Sequence, residues 1–530
     1  MRPFLLALLS VGVLSAQASA NKSERLEWFR DQGFGLFIHW SVDSQLGVVI
    51  SHSLVGASED FTRRFFTELP QTFNPRKFHP QDWAALAKLA GVRYAVFTTK
   101  HHSGFAMWDT ATTPFGIRNT PFKHDIFGEV VSAFREQGIS PGIYFSPDDF
   151  HWLHTNKVIV DRRRPETMPL NNPGLMALDK AQMREILTKY GPMSVAFLDG
   201  PPEGLREQAW ESQPDIVVTR GVMNTPELYI PGVPQDEAWE ACFTMGTAWQ
   251  YQPQNERYKS GGQLISLLVE TRAKGGNFLL NVGPKPDGEL PIEQEERLRE
   301  MALWMFVNGE AIYGVRPWVI TNEQDVWFTK KKNEDTVYAI VKEPQRWRRG
   351  TWKDIVLHSM RATAATQVSV LGQNDRVLEY QETTTPKTAF QQGADGLHIR
   401  AMHAQRLQDN SQWPNPVVLK ITGVKPALTP PRVETGRASR TASGVTLNAT
   451  LGALGDAQSV EVGFEYRSLK GLDANERSGE WTKTPLQRLT APGPFSATVT
   501  KWNAGEPYEF RAVVKHPVLT MYGEARRTTL

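Results

Sequence analysis

At 530 residues the chain is too long for one small domain, and its 40% hydrophobic and 22% charged residues are the make-up of a globular protein. A formal net charge of +2 supplies no field that would gather nucleic acid, and no apolar run beyond the N-terminus is long enough to span a bilayer. The single cysteine, Cys242, excludes an intramolecular disulfide, gives no sign of a structural zinc site, and reads as a small buried hydrophobe.

The chain opens on MRPFLLALLSVGVLSAQASA, with Arg2, an apolar stretch from Phe4 to about Leu14, and Ala18-Ser19-Ala20 in the small-x-small pattern of a cleavage site. This predicts a signal peptide over residues 1–20, cleaved after Ala20, and a secreted or periplasmic protein.

From residue 21 to 315 short β-rich apolar runs alternate with helical patterns. Strands are expected at GFGLFIHW, VRYAVFTT, SPGIYFS, SVAFLD, DIVVT and NFLLNVGP, and helices at PQDWAALAKLAG, DIFGEVVSAFREQG and ALDKAQMREILTKYG. Pro80 opens the first of these helices, and Gly91, Gly138 and Gly191 close the three in turn. Strands alternating with helices predict a parallel α/β core, and the length favours a (β/α)8-like barrel. An open doubly wound sheet is the rival, but the glycines of GFGLF lack the spacing of its phosphate loop.

After NGEAIYGVRPW the helices stop. VWFTKK, TVYAIVK, DIVLHS, TQVSVLG and PVVLKITG predict a β-sandwich over 316–424, and a Pro-rich linker, VKPALTPPRV, leads to a second sandwich over 425–530, immunoglobulin-like or fibronectin type III-like.

Barrel active sites lie at the C-terminal ends of the strands, where polar residues follow each apolar run. Those ends carry His39-Trp40, Lys100-His101-His102, Tyr144-Phe145-Ser146, Asp199-Gly200 and Arg220. Aromatic rings beside histidines and a carboxylate suit a sugar, whose apolar face and hydroxyls they would share. Adjacent histidines lack the i, i+4 spacing of a helical metal motif, so no metal is expected. The basic run DRRRP at 161–165 reads as a solvated loop. Glycosidic cleavage needs two carboxyls. Asp199 is the first candidate, while Glu227, Asp236, Glu237 and Glu240 compete for the second, with Glu240, next to Trp239 on an expected strand, reading as structural.

Taken together, FGLFIHW, YAVFTTKHHSGFAMWDT, GIYFSP, FLDG, TPELYIP, WEACFTMGTAWQY and AKGGNFLLNVGPKPDGELP resemble the α-L-fucosidases of glycoside hydrolase family 29, from about Leu26 to Pro317. The resemblance implies an exo-acting retaining hydrolase of terminal α-L-fucosyl residues, needing no cofactor and acting on fucosylated oligosaccharides or polysaccharides. It implies Asp199 as nucleophile and Glu227 as acid/base, with His39, Glu59, His101, His102, Tyr144, Arg220 and Trp249 binding the sugar. The chain departs from the family at Phe197, where a Trp is common, and at Asp60, where an aromatic follows the early-loop glutamate. The same chemistry would serve an α-L-galactosidase, whose substrate adds a hydroxyl at C6, and a fucose-binding protein without turnover would keep the pocket.

Overall fold

The computed structural model describes residues 20–254, 256–342, 347–407, 415–471 and 480–530. The expected signal peptide, apart from Ala20, lies outside them. Seven strands form one parallel sheet: β1 Phe34–Ile38, β2 Tyr94–Lys100, β3 Ser140–Phe145, β4 Val195–Leu198, β5 Val217–Val218, β6 Glu240–Thr244 and β7 Asn277–Val282. Their order is β5-β4-β3-β2-β1-β7-β6, and each neighbouring pair is parallel. Past β6 the segment 224–227 runs parallel to it: Leu228 N–H donates to Cys242 O at 2.9 Å, and Cys242 N–H to Pro226 O at 3.0 Å. That segment is an eighth stave, although no ladder joins it to β5 among the described residues. The sheet is curled as expected for a (β/α)8-like barrel.

Strands β1, β2 and β7 are buried at every position because helices cover one face and the barrel interior the other. Helices Pro80–Leu89, Ile126–Glu136 and Pro173–Lys189 occupy the three expected places. The last two are capped by Asp125, accepting from Gly128 N–H, and Asn172, accepting from Leu175 N–H. Most of the apolar core lies between strands and helices, while a smaller cluster, including Phe37, Tyr144, Phe197, Cys242 and Leu279, fills the barrel.

Side chains alternate along a strand, so positions two apart share the interior. On β1 this sets Gly35, Phe37 and His39 in line, on β4 Val195, Phe197 and Asp199, and on β7 Asn277, Leu279 and Asn281. Gly35 has no side chain because the Tyr94 ring occupies its place, 2.3 Å from where a Cβ would sit. Tyr94 in turn donates its hydroxyl to Glu240, which closes the barrel floor.

Beyond the barrel, strands Val326–Lys331, Thr336–Val341, Met360–Val370 and Val417–Pro426 form an antiparallel sheet facing Trp352–Leu357, Ala389–Gln392 and Leu397–Met402 across a core that includes Phe328, Leu357, Leu397 and Ile421. The last module pairs Arg432–Thr441, Gly444–Ala453 and Gly493–Val499, opposite a sheet centred on Val460–Ser468 and Tyr508–Lys515. The Pro-rich connection is shorter and better held than composition suggests. The strands run up to Pro426 and resume at Arg432, and between them Thr429 N–H donates to Asp456 Oδ2 at 2.6 Å. No described helix is long and apolar enough to cross a membrane.

Candidate active site

A cleft of about 550 Å³ opens at the C-terminal ends of the strands, lined by His39, His101, His102, Tyr144, Asp199, Arg220, Glu227 and Trp249 among others. Eight of the nine expected site residues therefore meet. His39 and Asp199 arrive by the strand alternation. Adjacent histidines can both face the cleft because the β2–β3 register shifts between Thr98 and Lys100, which breaks that alternation where β2 ends. Lys100 is turned away, buried in ion pairs with Asp179 at 2.6 Å and Asp149 at 3.5 Å, and so anchors the strand end instead of facing the cleft.

Asp199 is the hub. Tyr144 donates its hydroxyl to Asp199 Oδ2 at 2.7 Å, Arg220 donates to Oδ1 at 3.1 Å, and His102 Nε2 lies 3.5 Å from Oδ2. Burial disfavours its charge, but His102, the guanidiniums of Arg220 and Arg162 and the Tyr144 hydroxyl outweigh burial and hold the carboxyl below its ordinary value. The same Nη1 of Arg220 donates to Glu227 Oε2 at 3.0 Å. The two carboxylates thus meet at one guanidinium nitrogen.

The histidines are fixed by hydrogen bonds behind the cleft. Asn281 Nδ2 donates to Trp249 O at 2.6 Å, so its Oδ1, 2.7 Å from His39 Nδ1, must accept there. His39 therefore carries its proton on Nδ1 and presents Nε2 as an acceptor. Burial lowers its pKa to about 4, so the ring is neutral at ordinary pH. His101 Nδ1 lies 2.9 Å from Ser51 Oγ and His102 Nδ1 2.6 Å from Ser146 Oγ, and burial pushes both imidazoles well below their usual value. The His101 ring stacks parallel on Tyr144, centroids 5.3 Å apart, and Trp249 packs against His39 at 5.1 Å.

Several expectations need correction. Glu59 does not line the cleft: it begins the helix Glu59–Thr67 with its side chain 83% exposed, nearest His154 at 3.9 Å. The loop before it supplies Val49, Ile50 and His52 instead. DRRRP is not merely a solvated loop, since Arg162 lines the cleft and donates from Nε to Asp148 Oδ2 at 2.6 Å. Of the rival carboxyls, Asp236 and Glu237 are exposed, and Glu240 is buried under the Tyr94 hydroxyl with its pKa pushed up by burial to about 7. Cys242 is buried as expected, its Sγ 3.8 Å from Arg220 Nη2. His101, His102 and Asp199 do offer three ligand atoms within 4.8 Å of one another. As a resident metal site the trio fits poorly, because both oxygens of Asp199 are already bonded and two guanidiniums line the same cleft.

The sequence model of the family described as alpha-L-fucosidase matches residues 13–310. The chain belongs to the α-L-fucosidase family. It is 30% identical over 393 residues to an α-L-fucosidase of Branchiostoma floridae, covering 65% of this chain and 84% of that one. Its identity to the tissue α-L-fucosidase of Rattus norvegicus is 28% over 392 residues, 65% of this chain and 81% of the relative. Among solved structures, the Thermotoga maritima α-fucosidase in complex with fucose superposes with a TM-score of 0.58 at 26% identity, over 74% of this chain and 96% of that one. Within this glycoside hydrolase family, Phe197 replaces the expected Trp with another ring, stacked on Tyr144 at 5.7 Å and carrying the Arg220 guanidinium 4.6 Å above it.

Proposed function

We propose that the chain is an exo-acting, retaining α-L-fucosidase that releases terminal α-L-fucose from glycans by double displacement. The observation that carries this reading is the shared contact of Asp199 and Glu227 with Arg220 Nη1. Laid end to end, the two contacts cap the separation of the bonded oxygens at about 6 Å. That suits a retaining pair, about 5–5.5 Å apart, better than an inverting pair with room for a water, about 6.5–9.5 Å.

In the first step the Asp199 carboxylate attacks the anomeric carbon while the Glu227 carboxyl gives its proton to the glycosidic oxygen. The aglycone leaves as an alcohol and a fucosyl ester remains on Asp199. In the second step the Glu227 carboxylate takes a proton from water, the hydroxide attacks the same carbon, and the Asp199 carboxylate departs. Throughout, one of the two carboxyls is charged and the other is neutral. Arg220, about 3 Å from both, faces a single negative charge at each stage and has no large rearrangement to make.

The remaining residues hold the ring. His39 accepts from one hydroxyl through Nε2, His101 and His102 reach neighbouring hydroxyls, and Trp249 with Phe197 and Phe37 covers the apolar face. The leader at residues 1–20 supports export to the periplasm or medium. Two measurements test the reading. A 2-fluoro-fucosyl fluoride should label Asp199, seen by mass spectrometry of the peptide, and the first fucose released should be the α anomer by NMR. Release of the β anomer first would overturn it.

A further inference from the structure

The turn that follows Glu227 is held from outside the barrel. Glu227 lies on a stave outside the regular strands, joined to β6 by a single bridge to Cys242 and a few backbone bonds. The next residue, Leu228, sits at φ +59°, a left-handed conformation that is costly for a side-chain-bearing residue and persists only where the surroundings impose it. From Tyr229 to Trp239 the chain has no helix or strand, so its path is set by individual hydrogen bonds to its surroundings.

Gln235 is held at the far side, its N–H donating to Lys274 O at 3.2 Å and its Oε1 accepting from Asn224 Nδ2 at 3.1 Å, and two further anchors hold the part nearer Glu227. Lys274, paired with Glu270 at 2.8 Å, donates to Pro231 O at 2.7 Å. Val233 N–H donates to Glu524 Oε2 at 3.2 Å, and Glu524 belongs to the last sandwich, 291 residues further along the chain. Between them Gly232 lies flat on that sandwich, where a Cβ would stand 3.3 Å from Gly523 O and 3.4 Å from Ala525 N. The sandwich side is firm: Gly523 N–H donates to Ala512 O at 3.0 Å, and the flanking strands Thr520–Tyr522 and Arg526–Thr528 both pair with Tyr508–Lys515.

We infer that the last β-sandwich is part of the catalytic device, and that Glu524 is a positioning residue fixing the turn that places Glu227 opposite Asp199. This rests on the reading of Glu227 as acid/base. Asp199 sits at the end of β4 and is held by Tyr144 and Arg220, so a loosened turn would spare nucleophilic attack and impair proton delivery. The family match ends at residue 310, well before this module.

The test compares full-length Glu524→Ala, Glu524→Gln and Gly232→Leu with Glu227→Ala on aryl α-L-fucosides of graded leaving-group acidity, alongside thermal melts. Glu524→Ala and the Gly232→Leu wedge should keep kcat/KM, which reports the bond-breaking first step, within about twofold on the most activated substrate and lose about tenfold on the poorest, while Glu524→Gln, which keeps an acceptor oxygen, stays near wild type on both. If Glu227→Ala is steeply sensitive to the leaving group but Glu524→Ala matches wild type, or loses rate equally on every substrate, the clamp is overturned and the acid/base reading stands. If Glu227→Ala shows wild-type sensitivity, the acid/base reading falls and takes the clamp with it. Should Gly232→Leu fail to fold, the half-buried Glu524 pair decides alone.

Discussion

Asn281 Oδ1 accepts the Nδ1 hydrogen of His39 at 2.7 Å, and the other end of the same amide is tied to the Trp249 carbonyl. One side chain thus sets the tautomer of a cleft-lining histidine and the position of the loop that carries a cleft-lining tryptophan. Asn281→Leu removes both bonds at nearly constant volume. It should raise KM for a small aryl fucoside by about tenfold, the worth of one to two hydrogen bonds, with a smaller change in kcat. An unchanged KM would detach Asn281 from the site.

The same histidine links stability to pH. Its pKa is about 4 in the folded chain, below the ordinary value of 6.5. Between those values the unfolded chain binds a proton that the folded chain does not, so stability rises with pH across the window. The contribution is fully present above about 6.5 and is lost as pH falls toward 4. His101 and His102 are displaced in the same direction and add to the slope. Melting temperature should therefore drop through this window, and His39→Gln should flatten the drop; an identical profile in the variant would show that His39 does not carry it.

Asp199→Asn keeps the shape and removes the proposed nucleophile. A loss of about a thousandfold or more in turnover is expected, roughly 4 kcal/mol of barrier, in a protein that remains folded. Tyr144→Phe removes one hydrogen bond to the same carboxylate and should cost about 10- to 100-fold. Activity of Asp199→Asn within tenfold of wild type would remove it from the mechanism.

His101→Ala and His102→Ala should each lose about 1–3 kcal/mol of binding and turnover, because substrate hydroxyls are left without partners. Excess chelator should leave the wild-type rate unchanged. Loss of activity on chelation and its return with zinc would make the close trio of His101, His102 and Asp199 a metal site after all.

Much of this site was legible where a strand put it there. His39, Tyr144 and Asp199 follow apolar runs directly, and the period of two aims them inward. Asn281 stands at the equivalent place on β7 but sits inside the run NFLLNV, where a lone polar residue reads as noise until its partner across the barrel is known. Arg162 carries no periodic signal: it lies far along a loop and lines the cleft with its Nε bonded to Asp148. Glu59 failed for the converse reason, since segment similarity fixes its neighbours in sequence while packing of the helix Glu59–Thr67 decides where its side chain points. The anchor of Val233 by Glu524 lies beyond any local pattern, because it joins residues of two domains.

The sharpest test separates Glu227 from its sequence neighbours. If Glu227 is the acid/base, Glu227→Ala should slow cleavage of poor leaving groups far more than of activated aryl groups, which depart with little protonation. The fucosyl ester on Asp199 would then accumulate, since no base activates water against it. Azide needs no base, so it should attack the ester and restore turnover, giving fucosyl azide of retained α configuration. Asp199→Gly forms no ester, and azide there should enter from the side the carboxylate vacated, giving the inverted β product. Glu237→Ala, at an exposed position, should behave as wild type. Glu240→Ala should lower stability by about 1–3 kcal/mol, because the buried Tyr94 hydroxyl loses its acceptor, and azide should not rescue it. Azide rescue at Glu237 or Glu240 with none at Glu227 would move the acid/base role to that residue, and the shared contact at Arg220 would then hold the nucleophile alone.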